Sequence, residues 1–304
     1  MDKVLVLRFS SLGDVILTSA VLKPLYDAGF DVYLMTYKEY APVFEDSSFV
    51  KVLGVDKSNM FDKAKSLKPD IVIDLHKNLK TLLLRSLIKA RWFSYDKKSL
   101  KRRFCVWFKA FKKDIFYITD EYAKAVKPLL DIKNPRPYLE VNEDRLKPFL
   151  SSKPVVSLGI GARYEKKRYK YFKELSSMFI EKGFEVRLLG DKYDKSDAHG
   201  IDYVGKLSLI ETLACIKSSK LVIANDSSIT HMARALGVKV VTIFGGTDPC
   251  FGFAPKEDEG FVVSKDMPCK PCDVHGKGAC RYKTYPCLDI EPEFIFEKAL
   301  ALLD

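Results

Sequence analysis

The stretch from Met1 to Ala20 constrains the fold more than any other part of the chain. An apolar run, Val4–Leu7, leads into Arg8-Phe9, then into the polar Ser10-Ser11-Leu12-Gly13-Asp14, then into a second apolar segment. Apolar run, polar turn and apolar-periodic segment read as a buried strand, a tight turn and a helix. In an open α/β sheet, ligands bind beyond the carboxyl ends of the strands. Asp14 sits at that place, beside a glycine that lets other groups approach, and is suited to take a proton from a substrate.

The alternation continues. Strands are expected at Lys3–Phe9, Phe30–Thr36, Phe49–Val55 and within Asp70–Leu75, whose apolar middle suits a strand covered on both faces. Helices are expected at Val15–Ala28, with Asp14 as cap and Gly29 as stop, and at Met60–Leu67, Asn78–Ile88 and Asp120–Asp131. The Pro-rich turn Asn134-Pro135-Arg136-Pro137 and the linker Ser151-Ser152-Lys153-Pro154 then break the pattern. It restarts with a strand at Val155–Ile160 and a helix near Tyr171–Lys182. Strands follow at Glu185–Leu189, Leu221–Ala224 and Lys239–Phe244, with helices at Leu207–Ser218, Ser228–Leu236 and Glu291–Leu303. Two α/β halves in tandem are expected, with a ligand cleft between them.

With 304 residues, 47% hydrophobic and 30% charged, the chain is globular and long enough for two domains. No apolar run approaches the roughly 18 residues of a spanning helix, and Val4–Leu7 is too short for a signal sequence, so a cytoplasmic location is expected. The net charge of +11 is uneven: Lys77 to Lys113 holds thirteen Lys or Arg and one acid, Asp96. Trp92, Phe93, Tyr95, Phe104, Trp107, Phe108 and Phe111 are interleaved with them. That mixture suits a membrane surface, a phosphorylated substrate or a nucleic acid, and equally a solvated helix with its aromatics in the core. No RNA-recognition or helix-turn-helix pattern accompanies it, so nucleic acid is not the expected partner.

Three segments of the second half fall at expected strand ends. Gly159-Ile160-Gly161-Ala162-Arg163 leads into Lys166-Lys167-Arg168-Tyr169, where small residues admit a ligand and cations suit a diphosphate. Asn225-Asp226-Ser227-Ser228-Ile229-Thr230-His231 opens a helix, whose N-terminus favours phosphate. Phe244-Gly245-Gly246-Thr247-Asp248-Pro249 places paired glycines after a third strand. An ordinary glycine turn, a simple helix cap and a structural histidine account for the same residues. No Walker motif or H-E-x-x-H is present. Cys269, Cys272, Cys280 and Cys287 crowd the C-terminal region with a spacing that leaves zinc, disulfides and reduced thiols all open; Cys105, Cys215 and Cys250 are scattered.

In this order the motifs resemble the heptosyltransferases, the glycosyltransferase family 9 enzymes that add heptose to the inner core of lipopolysaccharide. Ser10–Asp14 is similar to the family's N-terminal motif, Lys167-Arg168-Tyr169 to its Lys-Arg-Trp, Asp226–His231 to its Asp-(Ser/Thr)-Gly-x-x-His, and Gly245–Pro249 to its Gly-Pro-Thr-Asp-Pro. The cysteine-rich tail ending in Ile290-Glu291-Pro292-Glu293 is similar as well. Ser228 stands in place of a glycine, Tyr169 of a tryptophan, and Lys170 and Gly246 of prolines.

The resemblance implies a GT-B architecture, two Rossmann-like domains facing a central cleft. Residues 1–150 would bind the acceptor and 151–290 the nucleotide sugar, and 291–304 would form a helix crossing back to the first domain. It implies an inverting transferase that takes heptose from ADP-heptose to Kdo or the first heptose, with no required cofactor. Asp14 and Lys167 would be catalytic. Gly13, Gly161, Arg163, Arg168, Asp226, Ser227, Ser228, His231, Gly245 and Gly246 would bind the donor. Ser10, Ser11, Lys98, Lys101, Arg102 and Arg103 would meet a lipid A–Kdo acceptor at the cytoplasmic face of the inner membrane. A related transferase with another nucleotide-sugar donor, or a non-catalytic nucleotide-binding module, are the alternatives.

Overall fold

The computed structural model describes residues 1–109 and 115–303. Phe111 and Lys113 of the basic stretch therefore lie outside the described residues. In chain order the first elements are β1 (Lys3–Leu7), α1 (Leu12–Leu17), α2 (Ser19–Asp27), β2 (Asp31–Tyr37), β3 (Lys51–Val55), α3 (Met60–Leu67), β4 (Ile71–Asp74), α4 (Leu79–Leu87) and β5 (Arg91–Ser94). Then come α5 (Ser99–Phe108) and α6 (Ile118–Val126). The second series is β6 (Val155–Gly159), α7 (Phe172–Glu181), β7 (Glu185–Leu189), β8 (Ile201–Asp202), α8 (Leu209–Lys217), β9 (Leu221–Asn225), α9 (Ser228–Ala235), β10 (Lys239–Phe244), β11 (Gly260–Ser264) and α10 (Pro292–Leu300).

Two compact units result. One comprises Met1–Lys97 with Ile118–Asn142, the other Lys98–Tyr117 with Glu143–Asp304. The division is not the single cut expected near residue 150, because α5 belongs with the second unit. Its Cys105 packs beside Cys250 and Phe251, and the Cys105 and Cys250 sulfurs lie 2.7 Å apart.

The first unit has a five-stranded sheet in the order β3-β2-β1-β4-β5, every pair parallel. Strands buried on both faces read as continuous apolar runs, and Val4 to Leu7 are fully buried. The expected helix Val15–Ala28 is instead two, α1 and α2. Thr18 and Ser19 turn their hydroxyls back on the carbonyls of Val15 and Ile16, both at 2.6 Å, which competes with a continuous helix. Ser11, not Asp14, is the cap of α1, and Asp14 occupies its first turn. Gly29, at φ +89°, takes the left-handed conformation that ends α2.

The second unit has six parallel strands in the order β11-β10-β9-β6-β7-β8. Its core joins β6, β7, β9 and β10 residues to Leu175 and Phe179 of α7 and to Ile295 and Ala299 of α10. The closing helix α10 packs on α7 within the second unit. Phe296 meets Phe179 edge-on at 4.8 Å, and the apolar face of α10 is spent there.

Both sheets change direction at a switch point, between β1 and β4 in the first and between β6 and β9 in the second. Loops beyond such a point diverge and leave room for a ligand.

Candidate active site

In the first unit the switch point gathers Arg8, Asp14, Asp74 and His76. Arg8 follows β1 and is buried. Its guanidinium meets Asp14 Oδ1 at 2.8 Å and donates to the Leu75 carbonyl and to the Tyr95 hydroxyl. Ser11 donates its hydroxyl to Asp14 Oδ2 at 2.8 Å and its backbone N–H to the same oxygen at 3.3 Å. Burial by itself would raise the Asp14 pKa, but Arg8 and the Ser11 donors outweigh it and hold the carboxyl below its usual range. Asp74 accepts from the backbone N–H groups of His76 and Lys77. Burial and the nearby cations Arg8 and Lys97 push His76 down to about 4, so its ring is neutral at physiological pH.

In the second unit, Lys167 Nζ lies 2.7 Å from Asp226 Oδ2, and the Thr247 hydroxyl donates to the same oxygen at 2.8 Å. Here too burial opposes the charge, and Lys167 overcomes it, leaving the Asp226 pKa lowered. Asn225 organises the strand ends: its amide donates to the Ile160 carbonyl at 2.8 Å and its oxygen accepts from the Tyr169 N–H at 2.9 Å. Ser227 caps α9 in an extended conformation. Its hydroxyl oxygen is buried with no hydrogen-bond partner. That orphan hydroxyl, the first N–H groups of α9 and the nearby ammonium suit a phosphate group.

The paired glycines support this cradle from behind. The Gly246 N–H donates to the Lys166 carbonyl at 2.6 Å, a bond that a proline at 246 lacks the hydrogen to make. A Cβ on Gly245 would stand 2.1 Å from the same carbonyl oxygen. Gly245→Ala should therefore force the Lys166–Arg168 turn outward and lower unfolding stability by about 1–3 kcal/mol. Thermal melting reads this, and an unchanged melting temperature would contradict the close approach.

Other expected donor residues surround this cluster with partners of their own. Arg168 donates to the Ala162 carbonyl at 2.8 Å and pairs with Asp194 at 2.9 Å, and a Cβ on Gly161 would collide with Asp194 Oδ2. Arg163 is exposed above the Tyr164 ring. His231 is buried, with Nδ1 3.4 Å from Arg234, whose guanidinium pairs with Glu259. Ser228 is half-buried in the first turn of α9, and Gly13 is in the first turn of α1.

Among the expected acceptor residues, Ser10 is half-buried before Ser11. Lys98 precedes α5, and Lys101 lies over Phe116. Arg102 stacks on Phe116 and Phe253, while Arg103 is exposed. Of the four tail cysteines, Cys287 is buried and the other three half-buried, all as free thiols. Among the described residues no group of three or more His, Cys, Asp or Glu side chains is arranged to hold a metal ion.

Arg8 and His76 are site residues that the motifs did not single out. The available signal was position: both lie within two residues of the ends of the strands that flank the switch point.

The whole chain is similar to solved structures. The glycosyl transferase family 9 structure from Veillonella parvula superposes with a TM-score of 0.79 at 20% identity, covering 99% of this chain and 97% of that one. The Escherichia coli ADP-heptose lps heptosyltransferase II gives 0.77 at 19% identity, with 99% and 98% covered. The two doubly wound parallel sheets match the GT-B fold of these structures. The model of glycosyltransferase family 9 (heptosyltransferase) matches residues 61–283. Lipopolysaccharide heptosyltransferase 1 of Campylobacter coli is 26% identical over 297 residues, 81% of this chain and 84% of that protein. The chain belongs to glycosyltransferase family 9, as its ordered motifs imply.

Proposed function

We propose that this enzyme transfers heptose from ADP-heptose, with inversion, to Kdo or the first heptose of the lipopolysaccharide inner core. The observation that carries the reading is the Lys167–Asp226–Thr247 cluster beside the buried, unpartnered Ser227 hydroxyl at the start of α9. Relatives named as lipopolysaccharide heptosyltransferases support the sugar and the acceptor.

An inverting transfer joins the acceptor oxygen to the anomeric carbon as the bond to the diphosphate breaks. The acceptor hydroxyl loses its proton, and negative charge grows on the leaving diphosphate. Asp14 receives the proton. With its pKa held low it is a carboxylate at neutral pH and a weak base, so the proton moves late, when the attacking oxygen has become acidic. Arg8 and Ser11 are positioning residues that aim this carboxylate. Lys167, Ser227 and the α9 N–H groups stabilise the diphosphate, with Asp226 aiming Lys167. Gly161, Arg163, Arg168, His231, Gly245 and Gly246 shape the surroundings of the donor. No cofactor enters this scheme.

The first unit takes the acceptor and the second the donor. Lys98, Lys101, Arg102 and Arg103, although they belong to the second unit, also serve the anionic acceptor at the cytoplasmic side of the inner membrane. Leu100, Phe104, Trp107 and Phe108 of α5 are exposed beside them. Among the described residues no helix is long and apolar enough to cross a membrane.

Calorimetric titration with ADP, UDP and GDP tests the donor. ADP should bind at least about tenfold more tightly than either competitor, a difference of about 1.4 kcal/mol. A preference for UDP or GDP would replace ADP-heptose with another nucleotide sugar.

A further inference from the structure

The basic stretch contains a second apolar surface that the function above does not use. α4 turns Thr81, Leu84 and Ile88 inward, and Leu84 and Ile88 join the core with Leu5, Leu7 and Phe9. Its other side is apolar as well. Leu79, Leu82, Leu83 and Leu87 are 79%, 62%, 56% and 46% exposed. Spacings of three, four and eight residues put these four leucines on one face of a helix. A soluble helix ordinarily presents polar residues there, and exposed apolar patches of this kind mark contact surfaces.

The surrounding charge identifies what the face meets. From Leu75 to Tyr95 the chain has Lys77, Lys80, Arg85, Lys89 and Arg91, and no Asp or Glu. A twofold contact with another copy would set these cations against themselves. An anionic lipid leaflet satisfies both halves of the pattern, with leucines among the acyl chains and ammonium and guanidinium groups at the phosphates. A cavity of about 440 Å³ adjoins the helix, lined by Leu79, Leu82, Trp92 and Phe93 together with Lys77, Arg85 and the carboxylate of Asp74. Its two cations outnumber its one carboxylate, which suits a zwitterionic or anionic headgroup. α4 also begins just beyond the carboxyl end of β4, where Asp74 and His76 stand.

We propose that the outward leucine face of α4, ringed by cations, seats this protein on an anionic lipid leaflet. The inference deepens the proposed lipid-linked acceptor and rests on it only for biological purpose, since vesicle binding is measured without donor or acceptor.

The test is flotation of the full-length protein with phosphatidylethanolamine–phosphatidylglycerol vesicles and with phosphatidylcholine vesicles. The wild type should float with the anionic vesicles and not with the neutral ones, and rising salt should weaken the binding. Replacing Leu79, Leu82 and Leu83 together by serine should lower partitioning roughly tenfold or more. These side chains point away from the core, so the melting temperature and ADP affinity should hold. Arg85→Glu with Lys89→Glu should reduce binding independently of the leucines. Undiminished flotation of both variants would overturn the proposal. So would equal binding to neutral vesicles, or a wild-type dimer that the serine variant converts to monomer. Loss of ADP selectivity in the wild type would instead count against the proposed donor and leave this test unaffected.

Discussion

Asp14→Asn should slow heptose transfer by about 10²–10⁴-fold, the usual contribution of a positioned acid or base, while ADP binding is unchanged. The asparagine oxygen can still accept from Ser11, so the turn is kept. What is lost is the negative charge that receives the acceptor proton. Arg8, buried and paired with Asp14 at 2.8 Å, loses its counter-charge, so some stability will go as well. The Leu75 carbonyl and Tyr95 hydroxyl continue to hold the guanidinium. Single-turnover rates with saturating donor, set beside ADP titration, separate the two effects. Transfer at the wild-type rate would remove Asp14 from the chemistry.

The pH profile follows from the same contacts. Asp14 is held below the ordinary carboxylate range by Arg8 and Ser11 against the opposing effect of burial. The ionised form is the base, so the rate should stay level from neutral pH down to about 5, with any acid limb below the ordinary Asp value of about 4. A limb near 6.5 would point to a histidine instead. Stability has the same sign. Asp14 and Asp226 both have folded values below their unfolded ones. Their stabilisation is therefore complete above about pH 4 and is lost as pH falls through the folded values.

Lys167→Ala should have the second large effect. Removing one group that stabilises leaving charge costs about 10²–10³ in kcat, and ADP affinity should fall with it. Asp226 would keep the Thr247 hydroxyl but lose its cation at 2.7 Å. Both side chains of the pair are mostly buried, so the unpaired carboxylate should cost on the order of 2 kcal/mol. Adding Asp226→Asn should recover much of that stability without recovering the rate. A single variant with normal kcat would exclude Lys167 from diphosphate stabilisation.

The strands that frame the two switch points were readable because doubly covered parallel strands are continuous apolar runs. Val4–Leu7, Ile71–Ile73 and Leu221–Ala224 all show this, and the turns that follow them carry the polar side chains. Partnerships across long separations were not readable. Nothing near Arg8 indicates that it will reach the carbonyl of Leu75, 67 residues away. Nothing in the scattered Cys105 and Cys250 indicates that they join α5 to the second unit. The apolar face of α10 was visible, but a face does not name its partner, and here the partner is α7. β8, only two residues long, lacks any pattern to detect. The acidic residue of the N-terminal turn was found, but its role as cap was misplaced by three positions, because Ser11 and Asp14 bind each other reciprocally.

Gly246 is held through the backbone on both sides: its N–H donates to the Lys166 carbonyl, and its own carbonyl accepts from the Cys272 N–H at 2.8 Å. The two peptide groups that meet at the Gly246 Cα therefore couple the thiol-bearing segment to the lysine turn. Chemistry performed on those sulfurs, by a metal, an oxidant or an alkylating reagent, would be felt at the lysine turn proposed to hold the diphosphate.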